Sequence, residues 1–121
     1  MKLEDKGYNM KISAETSIYI ALTVIKQFEN TLKGKKCELL KELTSNEVKL
    51  LDEIKYNCII TSNLTASSVL SALIGGITKT IKTQVGNLTQ NENIILMRLV
   101  NSNFYVALRL AIDEQCKDLE I

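Results

Sequence analysis

The segment QNENIILMRLVNSNFYVALRLAIDEQCK, residues 90–117, combines a helix start signal with an almost continuous apolar surface. Thr89 and Glu92 stand three residues apart at its start, in the pattern of a capping box. Apolar side chains then cover most of the helical circumference. The pattern predicts one long helix, bent near residues 101–103, that is either central in the fold or shared with a second subunit.

The preceding segment, from Ala66 to about Val85, also carries apolar residues at helical spacing, with Thr65 as its N-cap and Gly86 as its end. Two adjacent glycines inside a helix cost about 1 kcal/mol each relative to alanine. We therefore expect another helix to approach closely, in the same chain or across a subunit interface; a kink at the glycines is the alternative. The small residues predicted to form this interface are Ser68, Ala72, Gly75 and Gly76.

The first half of the chain carries weaker helix signals. Ser13 is expected to cap a helix that runs to about Lys33, with Gly34 as the glycine that follows its end. A short helical turn is expected between residues 37 and 43. Thr44 and Glu47 have capping-box spacing, which predicts Thr44 as the N-cap of a further helix.

These segments predict an all-α fold, a compact bundle of four to five helices with a long, largely buried C-terminal helix. With 121 residues, the chain is expected to form a single helical domain over residues 1–121. Residues 1–12 are expected to be a flexible or extended N-terminal arm. Strands are not expected, because apolar and polar residues do not alternate convincingly anywhere, although residues 8–12 could be extended.

Composition argues against most kinds of enzyme. The chain has no histidine, which excludes Ser-His-Asp catalysis and histidine-ligated metals. Its three cysteines, Cys37, Cys58 and Cys116, lack zinc-site spacing and are odd in number. No pair of carboxylates has a spacing suited to catalysis. We therefore expect no enzymatic activity, no catalytic residues, no metal and no cofactor.

Charge and hydropathy bear on location and on partners. The formal charge of +1 argues against a protein that coats nucleic acid or binds a membrane surface, because such a protein would carry a large positive excess. The first residues lack the apolar core of a signal peptide, and the run 18–25 is too short to span a bilayer. Residues 56–78 are uncharged but rich in Asn, Ser and Thr, which favours buried packing or self-association. We expect a cytoplasmic homo-oligomer that does not contact a membrane, with nucleic acid a disfavoured partner.

The C-terminal segment also holds the strongest candidate for a ligand site. Its narrow polar stripe spans about 60° of arc at 100° per residue. The stripe contains both arginines of the chain and consists of Arg98, Ser102, Tyr105 and Arg109. Arginine matches phosphate or carboxylate, and tyrosine offers an aromatic face to a base. The alternative is a solvated helix face.

A few scattered residues resemble those of small helical phage proteins that sequester cyclic nucleotides. They are Leu43 to Glu47, Ile54, Lys55, Phe104 and Arg109. The resemblance covers a minor part of the chain, and its spacing departs from that family's pattern. It would imply binding of a nucleotide or another anionic small ligand. The sequence thus favours a small non-enzymatic interaction protein that self-associates through its 64–112 helices, with nucleotide or phosphorylated-ligand binding as the alternative.

Overall fold

A computed structural model describes residues 11–12, 14–57 and 64–119. The described residues confirm the all-α bundle, with five helices and one pairing of two-residue strands. The helices are α1 (Ala14–Glu29), α2 (Gly34–Thr44), α3 (Glu47–Asn57), α4 (Ala66–Val85) and α5 (Gln90–Leu119), and the strands are β1 (Lys11–Ile12) and β2 (Leu64–Thr65). None of these helices is both long and apolar enough to cross a membrane.

Helix α1 is the central element of the bundle. It contacts each of the other four helices, and its most extensive packing is against α5. Six of its apolar side chains are buried, namely Ile20, Ala21, Leu22, Val24, Ile25 and Phe28. They meet buried residues of α2 to α5, which include Leu40, Leu50, Ile54, Leu73, Ile77, Ile81, Leu96 and Val100. The densest apolar run of the sequence thus forms the core that every other helix covers.

The helix ends depart from the predicted ones in the first half of the chain. Helix α1 ends at Glu29, and the turn that follows is closed by i→i−3 backbone hydrogen bonds at residues 30–32. Gly34, whose φ is +62°, is therefore the first residue of α2 and does not directly follow the end of α1. Its positive φ places it in the left-handed region that favours glycine. The predicted cap at Ser13 lies outside the described residues.

The first predicted capping box is wrong, and tertiary contacts explain why. Thr44 is the buried last residue of α2, and its hydroxyl donates a hydrogen bond to the carboxylate of Glu29. Asn46 caps α3 in its place, because its Oδ1 accepts a hydrogen bond from the Lys49 amide at 3.1 Å. Glu47 instead pairs with Lys26 of α1 at 3.4 Å.

The strand pairing is the one described element that the sequence does not predict. Lys11 pairs with Thr65 and Ile12 with Leu64 in antiparallel register. Two residues per strand are too few to show an alternating pattern, so this pairing leaves no period-2 signal. Residues 1–10 of the predicted arm lie outside the described part of the chain, and residues 11–12 form the paired strand β1.

The second capping box is confirmed. The Thr89 amide donates to Oε1 of Glu92 at 2.8 Å, and the Glu92 amide donates to the Thr89 hydroxyl at 3.2 Å. Lys36 of α2 contacts the same carboxylate at 3.0 Å. The Thr89 amide holds the pKa of Glu92 below its usual value, and Lys36 acts in the same direction against the opposing effect of burial. One carboxylate thus caps α5 and ties it to α2.

The pKa of Glu92 is lower in the folded state than in the unfolded chain. Its ionised carboxylate therefore stabilises the fold at pH values above the unfolded-state pKa. This contribution is lost as the pH falls through the lower, folded-state pKa. We expect Glu92→Gln to lower the free energy of unfolding at pH 7, and to flatten its decline between neutral and acidic pH. Urea titrations at several pH values measure both effects. An unchanged slope in the variant would contradict the assignment.

Candidate functional site

All four residues of the predicted ligand stripe are solvent-exposed on α5. Arg98, Ser102, Tyr105 and Arg109 lie on one side of this helix, and the Tyr105 side chain is 72% exposed. The two arginines stand eleven residues apart, roughly 16 Å along the axis. The structure therefore places the predicted residues on a common face, and that face is turned to solvent.

Where the structure describes the surroundings of the stripe, the surface beside Arg98 belongs to α5 alone. Arg98 borders a shallow depression whose other lining residues are Gln90, Asn93, Ile94, Met97 and Asn101. All six belong to α5, so the depression is part of one open helix surface. Small-ligand sites usually enclose most of their ligand. The depression on α5 could enclose most of a ligand only if a second molecule covered it.

Burial of α5 is one-sided within residues 90–106, where the side chains are described. Leu96, Val100 and Phe104 recur every four residues and are buried in the bundle. The opposite side bears four exposed large apolar side chains, which are Ile94 (43%), Ile95 (37%), Tyr105 (72%) and Val106 (61%). The helix is thus more apolar than its own bundle requires. We call the exposed side of residues 94–109 the outer face of α5.

The small-residue row of α4 divides between the core and solvent. Gly76 is buried and Ala72 is half-buried, while Ser68 and Gly75 are exposed. A Cβ built on Gly75 would meet no heavy atom within 4 Å, so none of the described helices approaches α4 closely at Gly75. Approach of a second copy stays a prediction. Ser67, which the sequence places beside this row, has no described side chain.

The structure also brings together a polar cluster that sequence reasoning missed. A second depression is lined by Lys26, Glu29, Lys41, Thr44 and Ser45, where α1 meets the end of α2. The Glu29 carboxylate accepts the Thr44 hydroxyl, and its backbone carbonyl lies 3.8 Å from the Cys37 thiol. These groups pair with one another across α1 and α2. These contacts therefore hold α1 and α2 together. Of the cluster, the sequence analysis singles out Thr44 alone, and it assigns Thr44 to a different role, as a helix N-cap.

Neither a metal site nor a known relative adds a described residue to the candidate site. Across the described residues, no group of His, Cys, Asp or Glu is arranged to hold a metal ion. Comparison with protein-family models, with curated proteins and with solved structures gives no match. Cys58, one of the three cysteines, lies outside the described residues. Among the described residues, the outer face of α5 and the exposed small residues of α4 are the candidate surfaces for an interaction.

Replacement of Gly75 by alanine tests whether its surface is open. Glycine inside a helix is roughly 0.5–1 kcal/mol less favourable than alanine. We expect Gly75→Ala to raise the free energy of unfolding by about that amount, measured by urea titration at low protein concentration. Gly86→Ala is the matched control, and it should lower stability because Gly86 has φ +90°. A loss of stability in Gly75→Ala would show that this surface is already occupied within the chain.

Proposed function

We propose that this chain is a non-enzymatic helical interaction protein that self-associates through α4 and α5, within residues 64–112. The observation that supports this most is the outer face of α5. Single exposed apolar residues are ordinary on protein surfaces. Four of them on one helix face, beside both arginines of the chain, form a concentrated surface of the composition found at interfaces.

The chemistry of this face suits a protein partner. Tyrosine and arginine are over-represented among the residues that contribute most binding free energy at interfaces. Full burial of an isoleucine or valine side chain contributes about 1.5–3 kcal/mol. Ile94, Ile95 and Val106 still have much of that surface to bury, and Tyr105 has more. Association would therefore complete a burial that the bundle achieves on only one side of α5.

Helix α4 offers a further surface for self-association through its small residues. The open space above Gly75 lets another backbone approach α4 closely, because glycine has no Cβ. Ser71, four residues before it, is also exposed and small. This row resembles the close-packing surfaces that helices present to one another, and it gives a role to a glycine that otherwise weakens α4.

Substitution of one exposed tyrosine tests the proposal. We expect the wild-type mass to rise from 13.6 kDa toward at least twice that value as concentration increases, measured by sedimentation velocity. Tyr105→Ser should raise the dissociation constant at least about tenfold, a change of about 1.4 kcal/mol.

Tyr56→Ser is the matched control, since Tyr56 is 88% exposed on α3 and lies off the outer face. It should leave the association unchanged. A wild-type protein that keeps the mass of one chain up to millimolar concentration would overturn the proposal.

Binding of a nucleotide or another phosphorylated small ligand is the second candidate function. It is favoured by the presence of Arg98 and Tyr105 on the same exposed face, next to the depression that contains Asn101. A guanidinium and an aromatic ring can together hold a phosphate and a base. The open shape of the depression means that a second copy would have to complete the enclosure.

Thermal-shift measurements with a panel of mono- and cyclic nucleotides test this candidate. A binding nucleotide should raise the melting temperature of wild type, and Arg98→Ala should abolish that rise. The same substitution should change the unliganded stability by no more than about 0.5 kcal/mol, because Arg98 is exposed. A shift of equal size in Arg98→Ala and wild type would exclude the stripe as the site.

A further inference from the structure

We draw no further inference here: the strongest candidate, the polar depression where α1 meets the end of α2, carries none because the Glu29 carboxylate, the Thr44 hydroxyl and the Lys26 ammonium that line it are already paired within the bundle.

Discussion

Burial of α1 is the interaction on which the rest of the structure depends. Its apolar residues between Ile20 and Phe28 are shielded from water only because four other helices surround them. Each of those helices has a buried stripe that faces α1 or a neighbour of α1. Each also has a second side that the bundle leaves uncovered. On α5 this second side is apolar and basic, and that asymmetry gives the molecule its most distinctive surface.

Helix periodicity and local cap chemistry predict most of this fold. The long final helix, the bounds of α4 and the Thr89–Glu92 capping box follow from patterns within a few residues of each other. The prediction at Gly34 is wrong because a turn with i→i−3 hydrogen bonds separates α1 from α2, and the prediction at Thr44 is wrong because its hydroxyl has a partner distant in sequence. The Thr44 hydroxyl had a local role available, and it bonds to Glu29 of another helix instead. Local spacing holds no information about that choice.

In the candidate site, too, local spacing predicts some features and tertiary packing decides the others. Spacing correctly groups Arg98, Ser102, Tyr105 and Arg109 on one face, because a helix fixes their angular positions. Spacing cannot show which side of a mostly apolar helix the bundle covers. The sequence predicts that α5 is either central or shared with a second subunit; in the structure α1 contacts all four other helices, and its most extensive packing is against α5. The exposed pairs at 94–95 and 105–106 become visible only once this packing is known.

The polar contacts of the bundle also differ in how much chain they enclose. Those that join α1 to the α2–α3 corner, Thr44 to Glu29 and Glu47 to Lys26, span 15 and 21 residues. Those that attach α5, Glu92 to Lys36 and Asn103 to Gln27, span 56 and 76 residues. Loop-closure entropy grows with the logarithm of span, so joining Asn103 to Gln27 costs roughly 1.4 kcal/mol more than joining Thr44 to Glu29. Among these contacts, those that attach the helix with the exposed face close the longest loops, and their formation costs the most chain entropy.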